Sequence, residues 1–355
     1  MNQHGPLHPP KPYKSYDELL TLMGERGMSF ECNERAKRKL AQVGYYRLTG
    51  YSHVCREIKK ESDGTFILCP TLRTPKRESN FLPDTSFNNI FNLYIFDKKL
   101  RILMMDALER IEVHIRSLIA HEVGKGHLKM KGSGALIPDP MAWNSSDYIN
   151  PKHLKEKRNG SKSDWDNWKE NHQKIISRCR DDAIVWHNRN SKSMPFWVVI
   201  EAWDFGTLSK YYGMLKETFR ARICERLGLT ENGDTQLLSS WLMSMNILRN
   251  RCAHHSRVWN QRNNNKISYP DQPFFNNLPL DDNTHHRLFG LIIVMQYLMQ
   301  QIGPSSTWMN EVMSLLQHFP SLPGANLAAF GKPSTGFPSN EQLNLIDVTL
   351  VRSQT

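Results

Sequence analysis

The segment from Leu248 to Trp259 reads LRNRCAHHSRVW and concentrates side chains that can act on a phosphodiester. Cleavage of RNA without metal needs a base for the 2′-hydroxyl proton, an acid for the leaving 5′-oxygen, and a cation beside the charge on phosphorus. Histidine and arginine supply these functions near neutral pH. We therefore predict that Arg249 and His254 are catalytic, with Asn250 as their polar companion.

Spacing alone is a weak signal for such a site. Among 14 histidines in 355 residues, some must follow an arginine by chance, as His121 follows Arg116 at the same separation. The polar residue after Arg249 and the small residue before His254 make this string more specific. The alternative is that Arg249 and Arg251 only cap a helix C-terminus, where the macrodipole favours cations, and that the histidines are ordinary surface groups.

A helix predicted over 235–255 carries this string. Five residues on an ideal helix place Arg249 and His254 about 140° apart, whereas Asn250 and His254 share a face. Either the helix ends near Ala253, or the arginine wraps round, or two copies of the chain complete one site across a symmetric interface, which we favour. The apolar stripe of the helix comprises Leu238, Trp241, Leu242, Met245, Leu248 and Cys252.

Three neighbours of the motif are further candidates. His255 is a spare base, but its angle lies near the apolar stripe and favours a buried structural histidine. Arg251 is a supporting cation at the same helix end, and Arg257 is a candidate RNA contact beyond it.

A long helix predicted from Asn89 to Gly124 offers a second polar face, away from its apolar stripe. In a functional interpretation, Glu109 or Glu112 orients the catalytic arginine and Arg110 or Arg116 binds phosphate. The alternative is solvated pairing of residues four apart, as in Glu112 with Arg116 and Asp97 with Arg101.

The run GYYRLTGY brings Tyr45, Tyr46 and Arg47 together. Aromatic and basic side chains in such a run stack bases and hold phosphate on single-stranded RNA platforms, while a packed corner is the alternative. The run is compatible with a strand or with a tight turn.

The remaining pattern predicts an all-α fold with an N-terminal helical extension and long loops. A capping box at Ser15 and Glu18 starts the first helix, and a second covers 33–43. The loop over 59–88 leaves room for a small β-hairpin at 65–69, and 127–165 is a polar connection anchored by Trp143 and Tyr148. Further helices are predicted near Trp165, after Pro195, over 207–227 and 288–302, and after Pro304. We divide the chain into an N-terminal region (1–88), a helical core (89–318) and an irregular or mobile tail (319–355).

Composition limits the class of protein. The formal net charge of +11 favours a polyanionic partner such as RNA, with solubility alone as the alternative. Six scattered cysteines without a CxxC pair indicate neither a disulfide framework nor a zinc module, and they suit a reducing cytoplasm. The sequence shows neither a secretory leader nor an apolar run long enough for a membrane span.

Several enzyme classes lose support. The chain has no Gly-rich phosphate loop, no HExxH pattern and no GxSxG elbow. We therefore predict no cofactor and no metal.

Taken together, five segments resemble the AbiD and AbiF type of abortive-infection proteins, which belong to the HEPN ribonuclease superfamily and are related to the nuclease halves of Cas13 effectors. The similarity spans most of the chain, in the order KPYKSYDELL, VGYYRLTGY, LYIFDKKLRILMMDALERIEVHIRSLIAH, PFWVVIEAWDFGTLSKYY and SWLMSMNILRNRCAHHSRVWN.

The resemblance implies a HEPN-like helical bundle and an Arg-x4-His motif at Arg249 and His254. It implies that Arg249 holds the scissile phosphate, that His254 activates the 2′-hydroxyl to leave a 2′,3′-cyclic phosphate, and that a homodimer brings two motifs to one cleft. A bound small non-coding RNA is the regulator it suggests. Two alternatives stay open: a catalytically silent RNA-binding protein using the same basic cleft, and an adenylylated toxin controlled by a partner nucleotidyltransferase.

Overall fold

The structure is a computed structural model that describes residues 11–71, 74–126, 128–130, 136–138, 154–155, 158–159 and 162–343. Helices make up most of these residues, and the strands form short two-stranded ladders. The predicted all-α class with a small β-hairpin is therefore confirmed. Within the described ranges, no helix has both the length and the apolar character that crossing a bilayer requires.

Two short helices open the described chain, α1 (Tyr16–Glu25) and α2 (Asn33–Val43). The predicted capping box starts α1, because Ser15 Oγ accepts from the Glu18 N–H while the Glu18 carboxylate accepts from the Ser15 N–H. Helix α2 stops at Gly44, whose φ of 86° is a conformation that glycine adopts without strain.

The aromatic run after Gly44 forms a third helix, α3 (Tyr45–Ser52), so its interpretation as a strand or tight turn is wrong. Leu48 and Tyr51 are both buried. Residues three apart share a helix face, whereas they would point to opposite sides of a strand. A helix therefore allows both side chains to be buried on one side.

A small antiparallel ladder follows, in which β1 (Arg56–Ile58) pairs with β2 (Arg77–Phe81). The hairpin predicted at 65–69 lies between these strands as an irregular middle segment. The Ile67 N–H donates to the Lys59 carbonyl at 3.1 Å, and the Ile67 carbonyl accepts from Lys76 at 2.7 Å. The region expected to be a long loop is therefore hydrogen-bonded along much of its described length.

Helix α4 (Phe87–Gly124) is 38 residues long and begins two residues before the predicted start. Most of its predicted apolar stripe is buried, namely Leu93, Phe96, Leu100, Met104, Ala107, Leu108, Ile111, Ile115 and Ile119. The period of 3.6 residues in the sequence thus corresponds to one core-facing side of a continuous helix.

Most of the polar connection predicted over 127–165, including Trp143 and Tyr148, lies outside the described residues. Its described parts pair as β3 (Leu128–Met130) with β4 (Leu136–Pro138) and as β5 (Arg158–Asn159) with β6 (Lys162–Ser163).

Five helices follow: α5 (Asp164–Arg178), α6 (Asp182–Arg189), α7 (Phe196–Val199), α8 (Phe205–Met214) and α9 (Glu217–Glu225). The prediction of one helix over 207–227 is wrong, because the backbone is extended at Leu215, with ψ of 146°. The Leu215 side chain at this break is fully buried in the core.

The last helices are α10 (Asp234–Ala253), α11 (Pro273–Asn276), α12 (Asp282–His285), α13 (Leu288–Ile302), α14 (Trp308–Gln317) and α15 (Asn340–Leu343). Helix α13 has the predicted bounds. Burial of nearly all its residues explains why it is apolar on every side.

The segment after Phe319 is irregular, as predicted, but its described part is packed rather than mobile. Phe330 is fully buried, and its carbonyl accepts from the Phe289 N–H at 3.1 Å. The Leu343 carbonyl accepts from the side-chain amides of Gln296 and Gln300. These contacts were not visible in the composition, which is rich in Pro, Gly and Ser.

The chain divides into two compact units. The first contains the described residues of Met1–Lys99 with Leu315–Ala329, and the second those of Leu100–Ser314 with Phe330–Thr355. The division into 1–88, 89–318 and 319–355 stays a prediction.

Candidate active site at the end of helix α10

The core holds helix α10 through the apolar stripe that its sequence predicts. All six residues of that stripe are buried. Among them, the Trp241 indole donates from Nε1 to the Ser268 carbonyl at 2.9 Å. Full burial of a large apolar side chain stabilises a fold by about 1.5–3 kcal/mol. The core packing of α10 therefore anchors its last turn, which carries Arg249 and Asn250.

The C-terminus of α10 is closed by a Schellman motif. The Ser256 N–H donates to the Arg251 carbonyl at 2.8 Å, and the His255 N–H donates to the Cys252 carbonyl at 3.0 Å. His255 adopts a left-handed conformation, with φ of 56°. The helix thus ends at Ala253, and the expectation of a buried His255 within it is wrong, because the reversal leaves this residue exposed.

The chain beyond this reversal is fixed at once. The Arg101 guanidinium donates from Nη1 to the Ser256 carbonyl at 3.3 Å. Val258 and Trp259 then enter the core, where both are almost inaccessible. The motif therefore lies on a turn anchored on both sides.

Arg249 is half-buried near the C-terminus of α10, within electrostatic range of an acidic side chain of α4. Burial raises the pKa of Glu112, and the positive charges of Arg116 and Arg249 oppose that rise. Glu112 is thus close enough to Arg249 for their charges to interact, as the functional interpretation of this face requires. Arg249 Nη1 also lies 3.4 Å from Asn250 Oδ1.

Arg116 holds Glu112 in position. Its Nη2 donates to Glu112 at 2.8 Å and to the Trp203 carbonyl at 3.0 Å, and its Nη1 lies 3.5 Å from Glu201. The side chains of Arg116 and Glu112 are only 13% and 14% exposed. The predicted pair four residues apart does form, but it is largely buried rather than solvated.

The start of α8 closes a third side of this polar cluster. Asp204 caps α8, because its Oδ1 accepts from the Thr207 N–H at 2.7 Å, and its charge also raises the pKa of Glu112. A Cβ atom at Gly206 would lie 3.4 Å from the side-chain amide of Asn246, one turn before Asn250. Helices α8 and α10 thus lie close together at this point.

Asn250 and His254 are both exposed. His254 is the C-cap of α10, and its N–H donates to the Asn250 carbonyl at 3.0 Å. Its backbone is near-helical, with φ of −87° and ψ of 11°, so the end of the helix does not rotate it towards Arg249. Arg249 thus lies near α4, while His254 and Asn250 face solvent.

Other members of the predicted polar face of α4 have different environments. Asp97 and Arg101 are buried, which contradicts a solvated pair, and Asp97 accepts from the Tyr51 hydroxyl at 2.7 Å. Glu109 is exposed. Arg110 is engaged with Ser306 at 3.3 Å and with Asp106 at 3.5 Å.

The other two arginines of this segment are Arg251, inside the motif, and Arg257, beyond it. Arg251 is half-buried and lines a recess on another face of α10. Arg257 is half-buried beyond the turn.

The predicted aromatic platform belongs to the first unit, whereas Arg249 and His254 belong to the second. Tyr46 is 75% exposed and its ring meets Tyr45 edge-on at 5.4 Å between centroids, and Arg47 is exposed. The surface is open to a ligand, and its role in RNA binding stays a prediction.

Asp204 and Asn246 were not predicted as members of the site. A signal existed for both, since Asp204 precedes Thr207 at N-cap spacing and Asn246 lies four residues before Asn250 on the helix. The carbonyl of Trp203, which anchors Arg116, was not predictable because a backbone acceptor carries no sequence mark. Among the described residues, no group of three His, Cys, Asp or Glu side chains is arranged to hold a metal ion.

Comparison with known protein families gives one finding. The family described as Abi-like protein matches residues 38–260, which include α4, α8 and the complete motif of α10. Neither the curated proteins nor the solved structures give a match.

Proposed function

Since the chain belongs to the Abi-like protein family, which supports a role in abortive infection against phage, we propose that it is a metal-independent endoribonuclease with its active site at the end of α10. The observation that carries the proposal is that a half-buried Arg249 and an exposed His254 lie at the same end of α10. An arginine and an accessible histidine are the two groups that the chemistry needs.

In the proposed reaction, neutral His254 takes the proton of a ribose 2′-hydroxyl. The freed oxygen attacks the adjacent phosphorus, the bond to the 5′-oxygen breaks, and the proton that His254 has taken passes to that leaving oxygen. Arg249 stabilises the negative charge of the phosphorane by paired hydrogen bonds. The products are a 2′,3′-cyclic phosphate and a 5′-hydroxyl.

Geometry supports a composite site. Arg249 and His254 occupy different sides of the helix end, so one motif does not easily offer both groups to one phosphate. We propose that two copies of the chain face each other as a homodimer, with His254 of one copy acting beside Arg249 of the other. Glu112 and Arg116 are the residues of α4 that orient Arg249.

RNA is the proposed substrate, and a small non-coding RNA is the proposed regulator. The net charge of +11 supports both, because a basic protein attracts the phosphate backbone of any RNA. Tyr45, Tyr46, Arg47 and Arg257 are the further contacts proposed for it.

Two variants test the proposal. Arg249→Ala and His254→Ala should each lower the cleavage of labelled RNA at least about 100-fold, because each removes a group that acts in the transition state. Both variants should keep the thermal unfolding temperature of the wild type and most of its affinity for RNA. Cleavage should continue in EDTA, and a loss there that added metal restores would count against metal independence.

His121→Ala is the matched control for His254→Ala, because His121 also stands five residues after an arginine and is also exposed. It should cleave like the wild type. Equal cleavage by the wild type and both motif variants would contradict the proposed nuclease function. A wild type that binds RNA tightly and never cuts it, with binding lost in the variants, would establish the silent RNA-binding module instead.

A further inference from the structure

A recess lies beside the last turns of α10. Its floor is apolar and consists of Leu248, Val258, Leu288 and Leu291, all buried. The recess is partly open to solvent. An apolar floor favours an aromatic ring over a phosphate group, which would lose its hydration there.

The rim of this recess is polar and contains unused donors and acceptors. Arg251, Gln261 and Asn264 line it, and their side chains form no hydrogen bond or ion pair within the described part of the chain. A guanidinium group provides five donors, and each amide provides both donors and an acceptor. These groups are therefore available to a ligand on the floor.

The loop that carries the rim is held firmly. The Asn263 side chain donates to the Arg287 carbonyl at 2.7 Å, and its backbone N–H donates to the His286 carbonyl at 2.9 Å. Arg287 in turn donates to the Asn260 carbonyl at 3.1 Å. The recess is thus formed before a ligand arrives, which reduces the entropy that binding must overcome.

The recess adjoins the candidate active site. Arg251 precedes His254 by three residues, and residues three apart are neighbours on a helix surface. Ile247, which also lines the recess, lies on the same side of α10 as Asn250 and His254. A nucleotide next to one held by His254 can therefore reach the recess.

We propose that this recess binds a base of the RNA, namely a guanine flanking the scissile phosphodiester, and so determines where the chain cuts. The proposal rests on the ribonuclease function proposed above. Guanine presents O6 and N7 side by side as acceptors, which suits the paired donors of Arg251. Its Watson–Crick edge is free in single-stranded RNA and suits the amides of Gln261 and Asn264.

The first experiment maps cleavage positions on a random RNA library. The wild type should cut with guanosine enriched at one position beside the break. Arg251→Met keeps the length of the side chain and removes its donors, so the guanosine-to-adenosine ratio there should fall about tenfold. Gln261→Leu should lower the same ratio less. Arg262→Met is the matched control, since Arg262 is exposed and does not line the recess, and it should keep the wild-type ratio.

The second experiment measures binding of GMP and AMP to the full chain by saturation-transfer NMR. GMP should give the stronger signal, and Arg251→Met should abolish the difference. If the wild type never cuts RNA but shows this selective binding, the nuclease proposal fails and the recess remains a guanine site. If the wild type cuts without base preference, or Arg251→Met keeps both preference and GMP binding, the guanine site is wrong.

Discussion

At the scale of single residues, the reversal after α10 explains why two adjacent histidines have different roles. His254 keeps a near-helical backbone at the C-cap, whereas His255 supplies the left-handed residue that closes the helix. If the helix continued through both histidines, His255 would lie near the apolar stripe, as the sequence predicts. A Schellman motif is usually marked by glycine, and this chain has none there.

This assignment predicts an unusual order of stability. The free energy of unfolding of His255→Gly should be about 1 kcal/mol higher than that of His255→Ala, because only glycine adopts a positive φ without strain. The glycine variant should therefore be the more stable one. In the middle of a helix, alanine is the more stable of the two. Urea titration of both variants measures the difference, and a more stable alanine variant would contradict the left-handed closure.

Glu112 should separate activity from stability. Burial raises its pKa, so the folded state holds the proton more tightly than the unfolded state, and ionisation at higher pH costs stability. Glu112→Gln should therefore be at least as stable as the wild type at pH 7 and differ little at pH 4. Its kcat for RNA should nevertheless fall about tenfold, with a smaller change in KM, because the nearby negative charge that acts on Arg249 is removed.

A purely structural role for Glu112 makes the opposite prediction. Loss of stability at pH 7, together with unchanged kcat of the folded fraction, would show that the carboxylate only supports packing. Glu109→Gln is the matched control, because Glu109 lies one turn earlier and is exposed.

At the level of helices, Arg116 is supported by side-chain packing between α5 and the residues just before α8. No single pattern in the sequence predicts this packing. His172 of α5 is buried, stacks on Trp168 with 5.0 Å between ring centroids, and accepts from Trp203 Nε1 at 3.1 Å. The carbonyl of Trp203 is the acceptor that anchors Arg116. Helix α5 thus supports Arg116 through Trp203, without reaching Arg249 itself.

This support predicts a pH dependence. Burial lowers the pKa of His172 to about 4 from an ordinary value of 6.5, so the unfolded state binds its proton first as the pH falls. Each pH unit between 6.5 and about 4 should then cost about 1.4 kcal/mol from this residue. Unfolding free energies at pH 7, 6 and 5 should fall less steeply in His172→Gln. Equal slopes in the variant and the wild type would contradict a neutral, buried His172.

Elements were predictable where their signal is local. The capping box of α1, the apolar stripe of α4 and the bounds of α13 follow from residue spacing alone. Helix α3 was not predicted, since a short aromatic run fits a strand equally well, and the break at Leu215 was not, since a tertiary contact overrides its helical surroundings.

At the scale of the whole molecule, the class and the family were accessible from the sequence, but the grouping of the site was only half accessible. The family match covers the motif, and the sequence favoured a second copy of the chain over α4 as the source of the remaining groups. Glu112 of α4 is close enough to Arg249 for the charge of Arg249 to affect the pKa of Glu112. The homodimer stays a proposal, which the angular separation of Arg249 and His254 around the helix supports.

In the proposed reaction, His254 removes the proton of a 2′-hydroxyl while Arg249 stabilises the phosphorane. The most direct measurement compares an RNA oligonucleotide with the same oligonucleotide carrying one 2′-deoxynucleotide on the 5′ side of the mapped cut, each incubated with the wild-type chain in EDTA. We predict a 2′,3′-cyclic phosphate end from the first and no cut at that position in the second. Cleavage of both oligonucleotides at equal rates would contradict attack by the 2′-hydroxyl on the phosphorus.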